Sequence, residues 1–382
     1  MAAKAKQNDS PWRAGPTLAD VCGGRDNNFN LIRMIAASSV LISHAFPLAL
    51  GAGTIEPLEP YIDRSLGSVA VVIFFAISGF LIARSFDRRK DVAEWLAARF
   101  MRLWPGLTVV LALTLFVLGP IVTQLPLAAY FEHWETLTYA LRNLTLASLQ
   151  YGLPGVFEGN PYGPPINGSL WTLFHEVVCY AGVLVAGAIG LLRARRLFTL
   201  LFAVYLAIYC LYDLIESLHP KIDAFHDLSY PFVVGCLFYV WRDRIRLNYG
   251  VCAGFALVAW AAHGTPVFDA LFVAWLCYAT FVVAYLPAGG MRGYNRLGDY
   301  SYGMYVYAFP VQQATMHFAG DIGPYANMAI AFPITLAFAI ASWTLVEKPG
   351  LDRRHGVANG LRYIADKARG RPVAPSRKTP AE

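Results

Sequence analysis

Arg33 and His44 stand eleven positions apart in the run LIRMIAASSVLISHAFPLAL. On a helix, eleven positions are close to three turns, so both side chains project from one face, about 16 Å apart along the axis. Ionisable groups in an apolar run are costly and usually face a cavity. His44 has the one side chain whose unperturbed pKa, about 6.5, suits a base near neutral pH; a hydrogen-bonded core histidine is the plainer alternative. Arg33 reads equally as an anchor at the membrane surface. Glu176 closes the passage NGSLWTLFHE at 167–176. It lies about 8 Å into its helix, a depth similar to that of His44, so the two are expected to meet in one outward-facing cavity. There they form an acid/base or orienting pair, or an ion pair tying two helices together. Within the same passage Trp171 alone suits a membrane interface. Arg99 and Arg102, three apart in RFMRLWP, share a helix face. Two such arginines grip a phosphate bidentately or bind anionic lipid. Tyr302, Tyr305 and Tyr307 do not share one narrow face and read as interfacial packing.

The elements that position these residues follow from composition. Hydrophobic residues make up 57% of the 382 residues and charged residues 15%, far on the apolar side of soluble domains at ~25% charged. That excludes a disordered chain and leaves too little polar surface for a soluble enzyme. Six cysteines without a CxxC pair suggest neither a disulfide framework nor a metal or redox centre. The expected fold class is all-α, a polytopic membrane protein of about ten transmembrane helices. Apolar runs of spanning length fall near 30–50, 66–86, 105–124, 171–193, 197–217, 227–241, 249–263, 268–286, 299–319 and 325–346. With the N-terminus inside, only Arg64, Arg142 and Lys221 of the 31 basic residues fall outside, which fits the positive-inside rule with both termini cytoplasmic. The net charge of +6 therefore belongs to membrane topology, and no nucleic-acid partner is expected. The N-terminal stretch has no apolar core of a signal peptide. Residues 87–104 read as an amphipathic helix on the inner face, 125–168 as a long Pro/Gly-rich outer loop of the kind that is often functional. The domain reading is a cytoplasmic segment at 1–26, a transmembrane domain at 27–350 and a basic, disordered tail at 351–382.

In these places the sequence resembles the acyltransferase 3 family of integral membrane acyltransferases, over roughly residues 27–350. Arg33 and His44 are similar to its Arg–ten residues–His signature. Phe74–Leu81 (FFAISGFL), Arg99-x-x-Arg102-Leu103-x-Pro105, Asn167–Glu176, Ser301-Tyr302-Gly303-x-Tyr305 and Glu347-Lys348-Pro349 resemble its further motifs, in the same order. One departure stands at Ala308-Phe309-Pro310, where many members carry a His before the Pro. The resemblance implies transfer of an acyl group, usually acetyl from acetyl-CoA, to a hydroxyl of a cell-surface or lipid-linked carbohydrate, in the bacterial inner membrane. It implies His44 and Glu176 as catalytic, with Arg33, Arg99 and Arg102 binding the donor. Ser78 and Gly79 would leave a slot for the pantetheine arm. Asn167, Ser169, Trp171 and Tyr302 would shape the acceptor side. Acetyl-CoA would be a co-substrate, with no tightly bound cofactor, no metal, and membrane lipids as surroundings. The competing reading is a transporter or flippase moving a polar substrate past Arg33, His44 and Glu176.

Overall fold

Among the described residues ten helices follow the apolar runs of the sequence. The computed structural model of the protein describes residues 15–369, apart from 25, 89–90 and 213–217. In chain order the helices are α1 (Phe29–Leu50), α2 (Leu66–Arg88), α3 (Val92–Val122), α4 (Trp171–Ala188), α5 (Arg195–Tyr212), α6 (Pro220–Val240), α7 (Tyr249–Ala261), α8 (Phe268–Tyr285), α9 (Ser301–Ala319) and α10 (Pro324–Asp352). An eleventh, α11, spans Arg354–Ala368. Seven of them, α1 to α5, α8 and α10, are long and apolar enough to cross a bilayer by length and composition. The described residues hold no named strand, and the protein is an all-α polytopic membrane protein.

α9 escapes an apolarity criterion for a physical reason. It is the central helix, buried along nearly its whole length, and its polar residues Ser301, Gln312 and Gln313 face protein rather than lipid. α2 and α6 meet most closely through reciprocal glycines. A Cβ at Gly79 would fall 1.9 Å from the Phe232 carbonyl oxygen, and one at Gly235 2.2 Å from that of Ala76. Small residues permit this approach in membranes, where packing rather than hydrophobicity drives helix association.

Three expectations change. Residues 92–104 of the amphipathic stretch and the span that follows are one helix, α3, of 31 residues, while Asp87 and Arg88 end α2. At about 46 Å it exceeds a ~30 Å hydrocarbon core. Asp91 caps it, accepting from the N–H of Ala93 at 2.8 Å and of Glu94 at 3.3 Å. Its polar first turns are explained by the second change. Residues 354–368 of the tail expected to be disordered form α11, which lies against α3, with Arg362 donating to Asp91 at 2.8 Å and to Glu94 at 3.1 Å. Third, the outer loop holds two helices, Leu127–Glu132 and Trp134–Thr145. The second exposes Trp134, Leu137 and Leu141 at helical spacing, a stripe suited to a membrane interface. The lead-in at 1–14, residues 89–90 of the basic segment, the end of the fifth span at 213–217 and the tail beyond 369 lie outside the described residues.

Candidate active site

At the arginine-rich end, where α1 and α3 begin and α2 ends, the helices part around a cavity of about 680 Å³, a size typical of small-molecule sites. Five arginines line it (Arg33, Arg84, Arg99, Arg102 and Arg354) against two carboxylates, Glu176 and Asp299. Asp299, in the turn before α9, accepts from Arg33 and from Arg102 at 2.7 Å each. Ser301 donates to its other oxygen at 2.6 Å. Arg102 also lies 3.7 Å from the fully buried Glu347 of α10, to which Ser342 donates at 2.9 Å. The guanidinium sits about 6 Å from the ring centres of both Tyr302 and Trp343. Two carboxylates therefore fix the position of Arg102, and the cavity keeps an excess of positive charge out of bulk water. Such a site favours an anion, because charge-assisted contacts gain where the surrounding dielectric is low.

Glu176 belongs to this cavity. It accepts from Ser78 of α2 at 3.3 Å and from the Tyr180 hydroxyl one turn on. This corrects the expectation that Glu176 and His44 share an outward-facing cavity: His44 does not line the space that Glu176 lines. Depth along two helices gives a level in the bilayer and says nothing about the direction a side chain faces. Tyr302 and Tyr305 face the same cavity. Tyr302 donates to the Leu103 carbonyl at 2.8 Å and so ties α9 to α3. It lines the same cavity as Arg99 and Arg102. Gly79 is absent from the cavity wall and serves the α2–α6 contact alone.

Tyr305 is the last residue of α9 in the cavity wall; its hydroxyl pairs with Thr172 at 2.6 Å and donates to the Ser169 carbonyl at 2.9 Å. One turn further along α9, about 6 Å, Phe309 packs edge-on against His44 with ring centres 5.2 Å apart. His44 Nδ1 is buried and has no hydrogen-bond partner among the described residues. Buried polar atoms in that condition ask for an explanation, and a role in chemistry is one. The residue at 309 thus stands between the cavity and His44.

The passage at 167–176 builds the wall behind Phe309. Asn167 donates to the Val306 carbonyl at 2.9 Å and accepts from the Ser169 N–H at 3.2 Å. A Cβ at Gly168 would fall 2.6 Å from the Phe309 ring, so only glycine lets the loop lie there. Trp171 is half-buried, its carbonyl held by His175 at 3.0 Å. None of Asn167, Ser169 or Trp171 lines the cavity; they seat the loop on α9. Sequence reasoning missed Asp299, Arg84, Arg354 and Tyr180. A signal for Asp299 existed: an arginine at the depth of Arg33 calls for a carboxylate at the same level, and Asp299 lies two residues ahead of α9.

An all-α bundle of membrane-spanning length, with an arginine-lined cavity and a histidine whose Nδ1 is buried and unpaired among the described residues, has the features of a membrane enzyme. The profile of one family, described as an acyltransferase domain, matches residues 26–347, nearly the whole bundle. The chain belongs to the acyltransferase 3 family, and it is a membrane O-acyltransferase. It is 29% identical to an O-acetyl transferase of Shigella phage Sf6 over 345 residues, 86% of this chain and 97% of that protein. It is 27% identical to nodulation protein 10 of Rhizobium leguminosarum bv. viciae over 373 residues, 89% of this chain and 97% of the relative. No solved structure matches the chain at a significant level.

Proposed function

We propose that the enzyme takes an acetyl group from acetyl-CoA entering at the arginine-rich end and delivers it to a carbohydrate hydroxyl on the far side of Phe309. The observation that carries this reading is the cavity itself. It has five arginines, an entrance at the end where nearly all basic residues gather, and a wall along α9 that ends at Tyr305, one turn short of the residue packed on His44. The gathering of arginines supports a cytoplasmic orientation for that end in a bacterial inner membrane.

In this reading Arg33, Arg99 and Arg102 hold the phosphates of the donor, with Asp299 and Glu347 fixing the geometry of Arg102. Ser78 and Glu176 flank the path of the arm. The acceptor oxygen attacks the thioester carbonyl while His44 takes its proton. The carbon–sulfur bond breaks, the ester carbon–oxygen bond forms, and the proton passes from His44 to the departing thiolate. A single positioned base supplies about 10²–10⁴-fold. No acyl-enzyme is required. The acceptor, whether polysaccharide or lipid-linked sugar, stands outside the cavity described above.

The test has two parts. Purified protein in nanodiscs should bind acetyl-CoA and release CoA when acceptor is present. Surface glycans from cells with and without the gene, compared by mass spectrometry, should differ by one acetyl increment per site. Protein that neither binds acetyl-CoA nor alters any glycan would overturn the reading.

A further inference from the structure

A second cavity, of about 480 Å³, lies between α3, α9 and α10. Its walls include Val110, Val117 and Ile121 of α3, Ala314 and Phe318 of α9, and Ile334 of α10. It is separate from the arginine-lined cavity. Below it Gly106 of α3 meets the Tyr302 ring so tightly that a Cβ at 106 would fall 2.7 Å from it. Its polar groups are few, and one of them, Thr315, donates back to the Val311 carbonyl at 2.8 Å. Water would find almost nothing to bond, so the space suits hydrocarbon. The rim is apolar as well, with Val117, Ile121, Phe318 and Ile334 all exposed.

Two further features give the groove a direction and mark it as built. Val110 to Ile121 is eleven residues, about 16 Å, close to half of a ~30 Å hydrocarbon core and so about one leaflet deep. The groove occupies the half of the bundle away from the arginine-rich end. Its α3 wall contains a π-helical segment, Thr114–Leu118. There the backbone carbonyl of Leu115 accepts from the hydroxyl of Tyr130, a fully buried residue of the Leu127–Glu132 helix. Gly119 makes room for that hydroxyl, since a Cβ there would lie 2.1 Å from it. π-Segments are frequent at functional sites, and this one is held open by a dedicated side chain.

We propose that this groove is a binding site for one hydrocarbon tail of a bilayer lipid from the leaflet away from the arginine-rich end. The groove lies wholly within membrane-spanning helices, opens laterally, has one leaflet's length and offers no polar partner. A lipid tail is the occupant with that chemistry. The inference rests on the membrane placement of the helices and is independent of the donor and acceptor proposed above. Pro310, which lines the groove, directly follows Phe309, which packs on His44, so the seated tail supports the helix that positions that contact.

The test uses the full chain in nanodiscs of phosphatidylglycerol and phosphatidylethanolamine, with a trace of phospholipid carrying a diazirine midway along one acyl chain. After irradiation, labelled peptides are mapped by mass spectrometry. Val117, Ile121 and Phe318 at the rim should label several-fold more than the comparably exposed face of α5 at Leu200, Val204 and Ile208. Ala314→Trp fills the groove and should bring its labelling down to the α5 level, while Val204→Trp should leave it unchanged. Val117→Trp, from the opposite and half-exposed wall, repeats the measurement if the first variant does not fold. A groove that labels no more than α5, or filled variants that label as wild type, would overturn the site.

Discussion

The two ends of the bundle use polar side chains in opposite ways. At the arginine-rich end charges are paired yet leave space: Asp299 is shared between Arg33 and Arg102, Arg102 is shared between Asp299 and Glu347, and about 680 Å³ stays open among them. At the far end neutral amides close the structure. Gln313 donates to the carbonyls of Gly163 and Pro165 at 3.0 and 2.7 Å, and Asn160 donates to the Gln313 side chain at 2.7 Å. Gln312 donates to the Leu41 carbonyl at 2.9 Å and to Asn327 at 3.0 Å. Glu56 is consumed by Ser43 and by the Leu66 N–H at the start of α2. The difference separates binding from scaffolding. Long charged side chains with shared partners exchange a carboxylate for an incoming anion at modest cost, whereas short amides satisfied by backbone lock one geometry. His44 is one exception at the locked end, its Nδ1 buried with no hydrogen-bond partner among the described residues, as is Gln312 Oε1.

Removing that exception gives the largest expected effect. His44→Ala should lower acyl transfer by about 10²–10⁴-fold with acetyl-CoA affinity retained, measured by acetyl transfer alongside calorimetric donor binding. Near-normal transfer would make His44 part of the scaffold after all. Next comes Arg102→Ala. Loss of one charge-assisted phosphate contact, worth about 1.5–3 kcal/mol, should weaken acetyl-CoA binding roughly ten- to a hundredfold. Detergent stability is read in parallel, because Glu347 would be left buried without its partner. Unchanged donor affinity would turn the basic end into scaffold too, and erase the contrast.

At the locked end, Gln313→Leu should cost about 1–3 kcal/mol through unpaired loop groups, seen as faster proteolysis within 151–166 while donor affinity stays at the wild-type value. A fall in donor affinity of the same size as in Arg102→Ala would show that the ends are not separable. The smallest effect concerns Asp91, ahead of α3. Burial alone would raise its pKa, but the hydrogen bond from Arg362 and the N–H groups at the helix start outweigh it and hold it below 3.8. A depressed folded pKa means the contribution is full above the unfolded value and is lost as pH falls through the folded one. α11 should therefore stay docked at neutral pH and loosen only below about pH 4, measured by hydrogen exchange in 354–368. Arg362→Ala should produce the same loosening at pH 7.

Much of the fold was legible because bilayer thickness imposes one length on every span. The ten apolar runs correspond to ten helices, with α6 starting seven residues earlier than its run. What could not be read was continuity. The charges at 87–104 set that stretch apart from the span at 105–124, yet α3 runs through from Val92, and α11 gives its polar turns partners that lie more than 260 residues away in the chain. The site was half legible. The arginines and the passage at 167–176 stood out through type and spacing, and Arg33, Arg99, Arg102, Ser78, Glu176 and Tyr302 do converge. The pairing of His44 with Glu176 was misread, since depth was known and azimuth was not. The need of Arg33 for a carboxylate was readable, but picking Asp299 out of 25 acidic residues took the fold, which places it between two guanidiniums.

The Arg33–Asp299 pair also bears on how the chain is made. Its members are 266 residues apart, and the other ties of α1 reach equally late: Asn28 bonds to the carbonyl of Val283, and Leu41 receives Gln312. At ~5–20 residues per second, the ribosome needs roughly 15–50 s to deliver Asp299 after Arg33. For that time the first helix lies in the bilayer against α2, its guanidinium reaching for headgroups and its interior face still lacking α9. Assembly of this enzyme thus waits for its ninth and tenth helices, and a ribosome that stalls before Asp299 leaves eight helices around an unfilled centre.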